Sequence, residues 1–169
     1  MKKRNFIGKG KESLYIGIDP GLSGAIAWVG AVTGCMSMPV IEAKPRRLDL
    51  VAIKEQLLAL QFAWGDIYFC IEKAQAMPKQ GVVSMFNYGM GFGELKGLLT
   101  GLGVPYKEIQ PQRWKKDILQ GTKKDKGAAI KYCQMAYPTI DLTPGRKTKP
   151  HDGIADAVCI AEYCKKEFV

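Results

Sequence analysis

A β-strand that ends in an acid constrains this chain more than any other feature. In Leu14-Tyr15-Ile16-Gly17-Ile18-Asp19-Pro20-Gly21-Leu22-Ser23-Gly24, the apolar Leu14, Ile16 and Ile18 alternate with other residues, the period-two pattern of a strand. Pro20-Gly21 forces a turn directly after Asp19. A carboxylate at the end of a buried strand is costly unless something pairs with it, and a divalent cation is the natural partner. What the chain can do therefore turns on whether other carboxylates meet Asp19.

The order of elements supplies a second acid at the same edge. Gly24 to Val29 reads as a second strand and Thr33 to Val40 as a third. The intervals between them are too short for helices, which predicts an antiparallel meander. Leu48, Val51, Leu57 and Leu58 fall at helical spacing within Pro45 to Leu60. The continuous apolar run from Ile67 to Ile71 is too short for an ordinary helix, reads as a strand buried on both faces, and ends in Glu72. A crossover through the intervening helix makes this strand parallel to the first and places Asp19 and Glu72 on one sheet edge. A loop from Ala74 to Val83, a helix from Ser84 to Leu102 and a fifth strand from Val104 to Ile109 follow. Pro111 to Leu119, Lys126 to Ala136 and Asp152 to Lys166 read as helices. The expected class is α/β, a mixed five-stranded sheet flanked by helices in the manner of the ribonuclease H-like fold. Residues 1–13, with Lys2, Lys3, Arg4, Lys9 and Lys11, read as a flexible basic arm, and 14–169 as one domain.

Charge points to the partner. The chain of 169 residues carries 25 Lys and Arg against 16 Asp and Glu, a formal +9, which favours a polyanion and nucleic acid first. Eight basic residues fall between Lys107 and Lys131. No apolar run reaches the roughly 18 residues of a membrane span, and the expected location is the cytoplasm, that of the host if the source is a phage. Five cysteines without a C-x-x-C pair argue against a disulfide framework or a zinc ribbon and for buried thiols.

The last helix completes the acid set. Asp156 is the only charge from Gly153 to Ala161, and Asp152 lies four residues before it on the same face. Asp152 alone is explicable as an N-cap; Asp156, one turn in among apolar neighbours, is not. Asp19, Glu72, Asp152 and Asp156 together form an oxygen-only donor set that favours Mg²⁺, with Mn²⁺ as a substitute. Two such ions about 3.5–4 Å apart would stabilise the attacking and leaving oxygens of a phosphodiester displacement. His151, the only histidine, reads as a supporting residue, with ligand, general-base and loop readings open. Gly89, Gly93, Gly97 and Gly101 form a four-residue stripe on one helix. Each glycine costs about 1 kcal/mol against alanine in a helix, so the stripe calls for a close approach, either to the sheet or to a second copy of the chain.

Gly17-Ile18-Asp19-Pro20-Gly21, the strand-end Glu72 and the terminal Asp156-Ala157-Val158-Cys159-Ile160-Ala161 resemble RuvC-type Holliday-junction resolvases over nearly the whole domain. The His151-Asp152-Gly153-x-Ala155-Asp156-Ala157 form looks more like the phage and chloroplast branch. The resemblance implies a homodimeric, metal-dependent endonuclease that cuts four-way DNA junctions with paired nicks. In the bacterial pattern the last two acids are three apart, a position held here by Gly153, so the third ligand is Asp152, His151 or both. By the resemblance, Lys115 and Lys126 match lysines that contact the scissile phosphate region. Arg113, Lys116, Lys123 and Lys124 are neighbouring DNA-contact candidates. Phe86, just beyond the loop after Glu72, is a candidate for stacking on an unpaired base. Competing classes are a nuclease for RNA–DNA hybrids, a non-catalytic DNA-binding module of the same fold, and an actin-like kinase, for which the chain is too short.

Overall fold

The computed structural model describes residues 13–64, 66–75, 81–122, 127–145 and 148–169. In chain order the elements are β1 (Leu14–Asp19), β2 (Ala25–Gly30), β3 (Gly34–Ser37), β4 (Val40–Ile41), β5 (Arg47–Leu48), α1 (Leu50–Trp64), β6 (Ile67–Glu72), α2 (Val82–Gly101), β7 (Tyr106–Ile109), α3 (Pro111–Ile118), α4 (Ala128–Ala136) and α5 (Asp152–Phe168). A five-stranded sheet has the order β3-β2-β1-β6-β7. β1 pairs antiparallel with β2 and β2 with β3, whereas β6 runs parallel to both β1 and β7. Ile18 is in register with Ile71, so Asp19 and Glu72 are the next residues along adjacent parallel strands. The sheet expected from the sequence, including the shared edge for the two acids, is the one observed.

The period-two alternation of β1 separates two cores. Leu14, Ile16 and Ile18 face Ile53 and Leu57 of α1 and Leu95 and Leu99 of α2. Tyr15, with Ala25, Ala27 and Cys70, belongs to the opposite core, built on α3, α4 and α5. On that side α5 lies almost on the strand backbone. A Cβ at Gly17 would stand 2.2 Å from the carbonyl oxygen of Ala157 and 2.3 Å from the amide nitrogen of Ala161. Only glycine admits that approach, and the buried Ala155, Ala157 and Ala161 keep the helix side of the contact equally thin.

Three expectations need correction. The strand read from Thr33 to Val40 is broken: β3 ends at Ser37, and β4 pairs instead with β5 in a separate two-stranded sheet. Pro39, which has no N–H to give a ladder, sits at the break. The helix read from Pro45 begins only at Leu50. Leu48 is buried as a strand residue, and Asp49 Oδ1 caps the helix by accepting from the Ala52 amide at 3.0 Å. Val51 and Leu58, assigned to its inner face, are exposed; Ile53, Leu57 and Leu60 are the buried positions. The glycine stripe of α2 does not pack on the sheet: Cβ atoms at Gly89, Gly93, Gly97 and Gly101 would meet nothing within 4 Å. Cys70, Cys133, Cys159 and Cys164 are buried free thiols and Cys35 is partly exposed. Residues 1–12, most of the basic arm, and residues 76–80 of the following loop lie outside the described residues. Among the described residues no helix is long and apolar enough to cross a membrane.

Candidate active site

The site is assembled where the sheet edge meets the first turns of α5. Asp19 ends β1, and the chain then folds back through a turn closed by the Gly24 amide on the Gly21 carbonyl at 2.8 Å. The Gly21 amide also points at Asp19 Oδ1, at 3.5 Å. Glu72 ends β6, and its Oε2 accepts from the indole N–H of Trp114 at 2.6 Å. Trp114 is wholly buried in the α5-side core, so α3 fixes this carboxylate from behind. Asp156 comes from the second turn of α5, held over β1 by the Gly17 contact.

The three carboxyls are all raised from their ordinary values. Burial, then the charges of Glu72 and Asp156, push Asp19 up to about 7. Burial also pushes Asp156 up to about 6, with Glu72 and Asp152 adding to the effect. Glu72 is raised by burial as well, against the opposing pull of its Trp114 bond. One cation answers all three: Lys115 of α3 lowers each carboxyl. Its Nζ stands 5.1 Å from the centre of the Trp114 ring. Among the described residues, three acids gather around one lysine that acts on all of them, an electrostatic condition that a divalent cation would relieve.

Beside the cluster lies a cleft of about 720 Å³, lined by Glu72 and Lys115 together with Pro20, Gly21, Leu22 and Leu48. Ser84, Asn87, Tyr88 and Gly91 of α2 form a further wall. Among the described residues, no group of three or more His, Cys, Asp or Glu side chains is gathered so as to hold an ion. The chemistry of the set still fits a hard cation, since Asp19, Glu72 and Asp156 offer carboxylate oxygens only.

The other candidates fall in different places. Asp152 is exposed at the start of α5 and reaches the cluster only through its charge on Asp156. It does not cap the helix; His151 does, its buried Nδ1 accepting from the Ile154 amide at 3.3 Å. This agrees with a supporting role for His151. Gly153 cannot carry the acid of the bacterial spacing, because a Cβ there would lie 2.5 Å from the Ser23 carbonyl oxygen and 2.8 Å from Gly24 Cα. Arg113 and Lys116 are exposed on α3, and Arg113 acts on Tyr163 and Glu167 rather than on the acids. Phe86 is 69% exposed and lies off the cleft wall formed by its helix neighbours. Lys123, Lys124 and Lys126 lie outside the described residues. Sequence reasoning missed two residues, Trp114 and Tyr88. The position of Trp114 beside Lys115 offered a weak signal. For Tyr88, the i, i+3, i+4, i+7 spacing with Ser84, Asn87 and Gly91 was the available one.

No family model matches the chain. The chloroplastic Holliday junction resolvase MOC1 of Chlamydomonas reinhardtii is 28% identical over 97 residues, 57% of this chain. The match spans only 11% of that relative's length. Among solved structures, T. thermophilus RuvC in complex with a Holliday junction substrate superposes with a TM-score of 0.54 at 18% identity, covering 90% of each chain. A second structure of Thermus thermophilus RuvC gives 0.52 at 19% identity, over 88% of this chain and 90% of the other. Ydc2, the yeast mitochondrial Holliday junction resolvase, gives 0.50 at 13% identity, over 90% and 83%. The proteins found this way are those that the Asp19, Glu72 and Asp156 motifs resemble, and the fold is the ribonuclease H-like fold of RuvC.

Proposed function

We propose that this chain is a structure-selective endodeoxyribonuclease that resolves four-way DNA junctions by metal-dependent phosphodiester hydrolysis. The observation that carries the reading is the gathering of Asp19, Glu72 and Asp156, each raised by burial, beside one cleft, on a chain of formal charge +9. The similarity to MOC1 and to RuvC, named for Holliday junctions, supports the choice of substrate. Asp19, Glu72 and Asp156 would hold Mg²⁺ or Mn²⁺, two ions per site, with Asp152 as an outer contributor. Bound there, the ions supply a deprotonated water and stabilise charge on the reacting oxygens.

The chain's own residues do the rest. Trp114 holds one oxygen of Glu72, a residue that lines the cleft. Lys115 lies close enough to all three acids to hold a phosphate oxygen at the same place and offset charge that develops there. Lys126 has the second lysine role by its place in the sequence, and Arg113, Lys116, Lys123 and Lys124 would contact flanking phosphates, positioning without reading sequence. Phe86, exposed at the start of α2, is available to stack on an unpaired base. The open glycine face of α2, continuous with exposed Phe86 and Met90, suits a homodimer, and two active sites related by a two-fold axis suit a symmetric junction.

The test is incubation with a labelled four-way junction, a linear duplex and an RNA–DNA hybrid, each with and without Mg²⁺. The expected result is paired nicking of the junction alone, only with the metal, and none by Asp19→Asn. Equal cutting of junction and duplex, preference for the hybrid, or full activity in Asp19→Asn would overturn the proposal.

A further inference from the structure

Tyr88 occupies a place in the cleft that the acids and lysine do not explain. It lies on α2 with Ser84, Asn87 and Gly91, and all four line the cleft beside Glu72 and Lys115. Gly91 is buried against Leu48, its Cβ position 3.3 Å from Leu48 Cδ1. That close contact seats this face of α2 against Leu48, and the preceding residues of the same face, Tyr88 among them, line the cleft.

The phenol is half-buried and sits in the fields of Asp19 and Glu72. Burial first, then those two charges, push it above the usual tyrosine range, so its hydroxyl keeps its proton at physiological pH. Two other tyrosines near carboxylates donate to them: Tyr163 to Glu167 at 2.8 Å, and Tyr137 to Glu162. Tyr88 stands near two carboxylates and, among the described residues, donates to neither. Its O–H is therefore a neutral donor on the wall of a cleft that also holds Glu72 and Lys115.

We propose that Tyr88 is a further catalytic residue, its hydroxyl donating a hydrogen bond to a non-bridging oxygen of the phosphodiester on which the carboxylate cluster acts. The inference rests on the nuclease reading above and adds a residue to it. The chemistry favours a phenol at this position. A lysine at this position would compete with a divalent ion for the carboxylates, and an acid would repel the phosphate. A neutral donor does neither, and it holds the phosphate from α2 while Lys115 holds it from α3. Two donors on separate elements restrict rotation of the phosphate and so favour in-line attack.

The experiment compares wild type and Tyr88→Phe in single-turnover cleavage of a labelled four-way junction with Mg²⁺. Junction affinity is measured in the Asp19→Asn background, with and without Tyr88→Phe, and thermal melting is recorded for each protein. The expected result is a cleavage rate about 10- to 100-fold lower in Tyr88→Phe, with affinity within about twofold and melting unchanged. A rate within about twofold of wild type overturns the proposal, as does a rate loss matched by an equal loss of affinity or by a lower melting temperature. A wild-type protein that cuts no junction overturns the nuclease reading itself, an outcome distinct from an active wild type with an equally active Tyr88→Phe.

Discussion

Two helices of this molecule are unusually rich in small residues, and they use them in opposite ways. α5 presents Ala157 and Ala161 to a β1 that answers with its own Gly17, and Gly153 to the turn at Ser23 and Gly24. α2 presents Gly89, Gly93, Gly97 and Gly101 outward, to open space. In the first case small side chains bring two backbones together and place Asp156 over Asp19. In the second they thin a face that nothing among the described residues covers. A stripe of small residues thus signals a close approach without naming the partner, and the sheet's own glycine is what distinguishes the two helices.

The strongest way to break this contrast is at Gly17. Gly17→Val puts a side chain where the Ala157 carbonyl oxygen already lies, 2.2 Å from the first added atom. A backbone neighbour cannot rotate aside, so α5 would have to lift from the sheet. The expected loss is about 3 kcal/mol or more, a large share of a typical domain's stability, read as a shift in urea midpoint. A loss below about 1 kcal/mol would mean that α5 is not pinned to β1 as described.

Gly153→Asp sharpens the same point. It restores the acid spacing of the bacterial pattern, and on ligand count alone it should improve metal binding. The Ser23 carbonyl oxygen at 2.5 Å from the new Cβ predicts the opposite. The variant should lose about 1–3 kcal/mol of stability and cut junctions more slowly, because the displaced turn carries Asp19. Faster cutting with unchanged melting would show that the turn yields and that the acid is welcome.

The sequence was informative wherever function and backbone pattern coincided. β1 and β6 are apolar runs that stop at an acid, and parallel pairing through a crossover follows from chain order, so Asp19 and Glu72 were legible together. Asp156 was legible because one charge in an apolar helix needs a reason. Asp152 stands at the exposed start of α5, after the cap at His151, and from there its charge acts on Asp156 one turn on, as four-residue spacing allows. Trp114 and Tyr88 were missed because their roles arise from tertiary contact. Trp114 meets Glu72 across 42 residues of sequence, and nothing local marks that distance. Leu48 was misread because its apolar phase fits a helix and a strand equally well over so short a run.

A smaller effect tests the electrostatics that α5 creates by closing on the sheet. Without a divalent ion, Asp19 binds its proton up to about pH 7 in the folded chain, against 3.8 as its ordinary value. Between those limits the folded state holds more protons than the unfolded state, so stability falls as pH rises. Melting in EDTA should therefore drop between pH 5 and 8, by about 1–3 kcal/mol in stability. Mg²⁺ should flatten the slope by replacing the protons, and Asp19→Asn should remove most of it. A melting temperature that rises over that window in EDTA would contradict the clustering of the three acids.

The smallest effect on folding belongs to α2, and it decides the other half of the contrast. Among the described residues no atom lies within 4 Å of a Cβ at Gly93, so Gly93→Ala should raise stability of the isolated fold by up to about 1 kcal/mol through helix propensity alone. Gly93→Leu should be tolerated by the fold for the same reason, yet push two copies apart if their α2 faces meet. Light scattering at matched concentration should then give wild type twice the mass of Gly93→Leu, with melting of the monomer unaffected. Equal masses would leave the glycines facing solvent at a cost in helix propensity that no contact offsets, and the approach that the stripe signals would have to be sought with DNA rather than with a second subunit.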